Sequence, residues 1–203
     1  MTTDTPPRHS TTTVVLLHLA HAVDHLFLLI FATTVSSMAP DFGFSQWQDL
    51  MPFGVGAFIL FGLGSIPAGR LGDLWGRRQM MIVFFLGMGV SALAVSLTQS
   101  AWQMALALTL MGAFASIYHP VGIPMLLQTA TRPGLAVGLN GLSGNLGVAA
   151  AAALTGFLVQ AAGWRVAYAL PGVLALGLGL WFAWTSPPET RSEEHTSELQ
   201  SRV

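Results

Sequence analysis

The sequence contains no cysteine and no lysine. Without cysteine there is no disulfide framework, zinc ribbon or thiol nucleophile. Charge of either sign is scarce: only 8% of the 203 residues are charged, against about 25% in an ordinary soluble domain. Eight arginines and nine acids leave a formal charge of −1. So little charge cannot cover a soluble enzyme, and a near-neutral chain lacks the basic stripe of a nucleic-acid binder. Phosphate-cradling glycine loops, nucleophile elbows, paired catalytic carboxylates and zinc-protease helices are also missing. Neither an enzymatic reaction nor ATP hydrolysis is expected, and no cofactor is called for.

What is present is apolar: 53% of the residues are hydrophobic. Six runs reach the roughly 20 residues a helix needs to cross a bilayer. They cover 13–35, 49–68, 80–97, 102–127, 134–159 and 166–184. The runs are apolar on all faces and rich in Leu, Ala and Gly, and they lack the alternation of a membrane barrel. An all-α polytopic membrane bundle is expected, with a lipid bilayer as its surroundings. The six tryptophans (47, 75, 102, 164, 181 and 184) fall at or just beyond span ends, where indole prefers the headgroup layer. A cytoplasmic N-terminus puts Arg8, Arg70, Arg77, Arg78 and Arg132 inside and Arg165 outside, as the positive-inside rule asks. The first run is too long and too ionisable for a signal peptide, so a multi-pass protein of the plasma membrane is expected.

Residues 1–12 form a polar tail with two prolines, expected to be disordered. The bundle occupies 13–185 and a polar tail 186–203. From Arg191 the string RSEEHTSELQS reads like a translated sequencing adapter, so 191–203 is expected to be non-native read-through.

Between the second and third runs lies Gly69-Arg70-Leu71-Gly72-Asp73-Leu74-Trp75-Gly76-Arg77-Arg78. Gly69 and Gly72 allow helix ends to approach closely, and Gly76 permits the turn back into the membrane. Asp73 offers an anion to a neighbouring helix N-terminus. Arg77 and Arg78 hold the segment at the cytoplasmic side and can pair with acids or lipid phosphate. This segment closely resembles the signature loop of the major facilitator superfamily, although Leu74 stands where that family often has a base. Gly163-Trp164-Arg165-x-x-Tyr168, at the entry to the sixth run, resembles a second element common in the superfamily. Gly54, Gly69, Gly76 and Arg78 recur 87 residues later as Gly141, Gly156, Gly163 and Arg165. The resemblance implies a three-plus-three inverted repeat, one half of a twelve-helix transporter, with a missing C-terminal six-helix half as partner.

In the fourth run, Tyr118-His119-Pro120 resembles an element of the fosmidomycin-resistance-type exporters. That run lacks an arginine and the fifth lacks a Gly-Pro pair, two features of drug/proton antiporters. Pro120 and Pro124 should bend the span and free carbonyls near Ser116. Tyr118 and His119 are read as lying near its cytoplasmic end, either gating against the signature segment or satisfying those freed carbonyls. In the fifth run Asn140, Ser143 and Gly147 share a face, either a close helix contact or a cavity lining.

The first run carries His18, His21, Asp24 and His25. At 100° per residue the three histidines lie within about 60° of one another, and Asp24 about 60° further round. Ionisable groups at that depth are functional candidates. Three readings stand side by side. Asp24 carries a coupled proton while His21 and His25 assist it or bind solute; the His18/His21/His25 stripe binds a metal or haem in a non-transporting module; or the side chains only hydrogen-bond neighbouring helices. The first is preferred: proton-coupled transport of a small organic solute by alternating access, with export the favoured direction.

Overall fold

The computed structural model describes residues 10–128 and 130–188. Most of the N-terminal tail, Arg8 and the suspected read-through lie outside the described residues. Among the described residues the chain is helical throughout, without a strand: α1 (Thr11–Met38), α2 (Val55–Leu63), α3 (Ser65–Trp75), α4 (Arg77–Ser96), α5 (Ala101–Ala115), α6 (Ile123–Gln128), α7 (Pro133–Ala162) and α8 (Trp164–Thr185). Short 3-10 turns join α1 to α2, and a π-helical turn over Tyr118–Gly122 joins α5 to α6. Serine caps open two of the helices. Ser10 accepts from the Thr13 N–H at 3.1 Å and Ser100 from the Gln103 N–H at 3.3 Å, each satisfying a donor the first turn leaves unpaired.

Among the described residues, five stretches are long and apolar enough to cross a membrane: α1, α4, α5 with α6, α7 and α8. The α2–α3 pair is the sixth, bent by 47°. Several boundaries differ from the sequence reading by three residues or more. The first span runs on to Met38, and the second continues to Trp75. Residues Gly69 to Trp75 are therefore the last two turns of α3 rather than a loop, and only Gly76 connects α3 to α4. The cause is packing: Gly72 lies against Val121 and Gly69 against Pro120, and that close contact offsets the low helix propensity of the glycines.

The helices pair as an inverted repeat requires. The first span packs along the fifth, the second along the fourth, and the third along the sixth. The two halves of the repeat also share their turning points. Gly76 and Gly163 have φ of 100° and 88°, a backbone that residues with a β-carbon avoid, and each ends one span where the next begins. Two residues beyond each glycine an arginine reaches across the bundle. Arg78 donates from Nε to the Ser186 carbonyl at 2.7 Å and from Nη2 to the Ala183 carbonyl, at the end of α8. Arg165 donates from Nη2 to the Thr98 carbonyl at 3.2 Å, just past α4. Each guanidinium thus satisfies carbonyls left open at a helix C-terminus and complements its dipole.

The core lies between α1, α4, α5 and α8, where Leu16, Phe27, Phe84, Phe85, Tyr118 and Phe182 are fully or almost fully buried. The outside is equally apolar, with Ile66, Leu97 and Phe157 mostly exposed, as lipid contact demands. Five tryptophans are exposed at span ends, but Trp164 is 4% exposed and corrects the expectation of a headgroup anchor. Its ring packs on Phe42 and Tyr168, and its N–H donates to Asp41 at 2.8 Å. An indole with both an apolar pocket and a carboxylate to receive its N–H has no reason to face lipid.

Candidate functional site

Three spans converge on the polar stripe of α1. His21 and Asp24 are buried and His25 is half-buried; His21 and His25, one turn apart, rise from the same side of the helix. Facing them, the fourth span departs from α-helical geometry. α5 stops at Ala115, and the wider turn Tyr118–Gly122 carries the chain past Pro120, which has no N–H to continue the ladder. That turn aims Tyr118 and His119 at α1. From the third side α7 contributes Asn140 and Gly144. A β-carbon on Gly144 would come within 2.9 Å of both the His21 and His25 rings, so its lack of a side chain makes room for them.

The hydrogen bonds assign the ring protons. His21 Nδ1–H donates to the Asn140 carbonyl at 2.7 Å, which leaves Nε2 of the neutral ring as an acceptor. His25 Nε2–H fills it at 3.0 Å. Tyr118 stacks on His21, ring centroids 4.8 Å apart and planes 15° from parallel. Its hydroxyl lies 2.7 Å from Asn140 Oδ1 and 3.0 Å from the Leu17 carbonyl, both acceptors for its single proton. His119 stands edge-on to His21 at 5.2 Å and to His25 at 5.9 Å, with Phe61 on its other flank at 5.9 Å. The Asp24 side chain has no exposed surface, and its Oδ2 is 3.6 Å from His119 Nδ1. Among the described residues, neither carboxylate oxygen nor that nitrogen has a hydrogen-bond partner. A buried polar group left so poorly satisfied is costly and is kept where it has work to do.

The sequence-predicted residues thus divide. His21, Asp24, His25, Tyr118 and Asn140 meet in one cluster. His119 joins them, which corrects its placement near the end of the span. It is the next two residues, Pro120 and Val121, that touch Gly69 and Gly72 of α3. His18 stands apart from the converging rings, with a buried Nδ1 that has no partner among the described residues. Ser143 donates to the Leu139 carbonyl of its own helix at 3.0 Å. Gly147 meets the Ala22 backbone, so the small stripe of α7 is mainly a close helix contact. Asp73 has a side chain 73% exposed and pairs with Arg77 at 3.7 Å. Arg78 donates to the helix-end carbonyls of Ala183 and Ser186.

Sequence reasoning missed Asp41, which accepts from Trp164 and, at 2.7 Å, from Arg165 Nη1. These two donors, with the indole first, hold the Asp41 carboxyl below its usual range. Asp41 is one of the few acids outside the tails, and that scarcity was the one available signal.

Residues 17–202 match the profile of the Major Facilitator Superfamily. The chain belongs to this superfamily. Membership places it in a lineage of transporters, not enzymes, and agrees with its apolar, multi-span architecture. Among curated members of known name, a tetracenomycin C resistance and export protein of Streptomyces glaucescens is 30% identical over 130 residues, 62% of this chain and 24% of that protein. A probable hexose phosphate transport protein of Chlamydia pneumoniae is 26% identical over 152 residues, 74% of this chain and 33% of that protein. A puromycin resistance protein of Streptomyces alboniger is 29% identical over 110 residues, 53% of this chain and 22% of that protein. The chain therefore spans a third or less of each of these superfamily relatives.

Proposed function

We propose that this chain is the N-terminal six-helix half of a secondary transporter that moves a small organic solute across the plasma membrane by alternating access. The observation that carries the reading is Asp24, a fully buried carboxyl in the interior of a span, with the His119 ring 3.6 Å away. A lone carboxyl at such depth marks an ion or solute pathway. In this reading Asp24 takes up and releases the coupled proton, with His119 as its nearest base. His21, His25 and the Asn140 side chain are the groups that would meet the solute. The second six-helix half supplies the opposite wall of the cavity. Arg70, Arg77, Arg78 and Arg132 sit at the end of the bundle where both described termini lie, and Arg165 at the other, so we assign the terminal face to the cytoplasm.

The names of two of these relatives, resistance or export proteins for antibiotics, favour export. The hexose phosphate transporter among them keeps the solute class open. The test replaces Asp24 by Asn in the transporter that contains this chain, reconstituted in proteoliposomes. Proton-driven flux falls to background while solute exchange without a gradient persists. Undiminished proton-driven flux removes Asp24 from the reading. The 203-residue chain purified as a monomer should give no solute-dependent flux, and flux from it would overturn its assignment as a half.

A further inference from the structure

His21, His25 and His119 each present one ring nitrogen, and these nitrogens lie within 4.8 Å of one another. Around a tetrahedral zinc ion with Zn–N of about 2.05 Å, ligand nitrogens stand roughly 3.3 Å apart. His21 Nε2 and His25 Nε2 are already 3.0 Å apart. Only the His119 ring, on the wider π turn and with its side chain 40% exposed, has to swing inward. The outer contacts are those that metal-binding histidines use. His21 gives its Nδ1–H to a backbone carbonyl, which turns an unprotonated Nε2 toward the shared centre. His119 Nδ1 stands 3.6 Å from Asp24 Oδ2, short of a hydrogen bond; closing that gap would complete the carboxylate–histidine pair that orients a ligand ring and raises its basicity. Asp24 also supplies the negative charge a divalent cation needs in a low-dielectric interior.

We infer that His21, His25 and His119 form a three-nitrogen site for a late first-row divalent ion of the zinc or cobalt class, with Asp24 and the Asn140 carbonyl orienting two of the rings. Imidazole donors select such ions over magnesium or calcium. The His25 proton that bridges to His21 moves to Nδ1 when the ion enters, so the three rings bind as neutral ligands. Three protein ligands leave a fourth position open for water or a solute oxygen. The site differs from the metal reading of the sequence in one residue: His119 takes the place of His18.

The test uses the untagged 203-residue chain in detergent, titrated with Zn²⁺ or Co²⁺. One ion binds per chain, and the cobalt form shows the strong visible bands of a tetrahedral centre. His119→Gln and His25→Gln each lower the affinity by about a hundredfold, Asp24→Asn lowers it by about 10–100-fold, and His18→Gln leaves it unchanged. Equal affinity in His119→Gln and the unmodified chain would overturn the site, as would an equal loss in His18→Gln. If the ligand variants do not fold, the cobalt spectrum of the unmodified chain still decides, because a six-coordinate, water-like spectrum excludes three converging rings. Binding is read without any flux, so its outcome is separate from that of the transport reading.

Discussion

Ala57 against Gly112 and Gly144 against His25 are the same contact in the two copies of the repeat, related by the offset of 87 residues that also relates Gly76 to Gly163. In the first, a β-carbon on Gly112 would run into the Ala57 backbone, and the second and fourth spans touch almost main chain to main chain. Around it lies a small apolar cleft lined by residues such as Phe27, Phe31, Phe58, Leu108 and Met111. In the second, the equivalent of Gly112 is His25, and the glycine has moved to the other helix to admit its ring. The scaffold of the two interfaces is alike, yet one is dry packing and the other holds the polar cluster. Symmetry therefore supplies the frame, and the departures from it supply the chemistry.

The largest effect that would break this comparison comes from filling the close approaches. Gly112→Leu and Gly147→Leu each drive a side chain into a neighbouring backbone, where overpacking costs about 1–3 kcal/mol or more. Both should lower the melting temperature in detergent to a similar extent, and a large inequality would show that the close backbone approach matters to only one of the two interfaces. A smaller effect separates the two arginine caps. Arg78→Gln loses charge-assisted bonds to two carbonyls and should cost about 1.5–3 kcal/mol. Arg165→Gln, at a more exposed pair, should cost about 1 kcal/mol or less. Thermal unfolding of the two variants ranks them, and the reverse order would contradict the greater weight given to the two carbonyl bonds of Arg78.

The smallest effect lies at the Asp41 junction beside Arg165. Trp164 and then Arg165 hold the Asp41 carboxyl below its ordinary value of 3.8. Its contribution is therefore fully present above that value and is lost as pH falls further, through the lower folded value. Acid melting curves of the unmodified chain and of Asp41→Asn should converge below about pH 4 and stand apart above it. Curves that stay parallel would remove the junction from the stability of that end.

The six spans were legible because a bilayer core accepts only long apolar helices, whatever their neighbours. Gly76 was legible for a similarly local reason, since a turn that needs positive φ selects glycine. The histidine stripe of α1 was legible from helical periodicity alone. His119 was placed near the end of its span because position along one helix does not show what that residue meets; its neighbour Asp24 is on another helix, 95 residues earlier in the chain. Trp164 resembles a headgroup anchor in the sequence because a tryptophan at a span end looks the same whether lipid or Asp41 receives its N–H.

The sequence by itself determined the solvent, the number of spans and one polar face of the first span, because each rests on composition or on spacing within a single helix. The family came from the resemblance of segment 69–78 to a known signature. The tertiary structure decided which of the polar residues share a site. It set His18 and Ser143 aside, brought His119 and Asn140 to His21 and Asp24, and turned two distant arginines into matching caps. These choices depend on contacts between residues far apart in the chain, made where helices approach closely at glycine and where a proline breaks the regular turn.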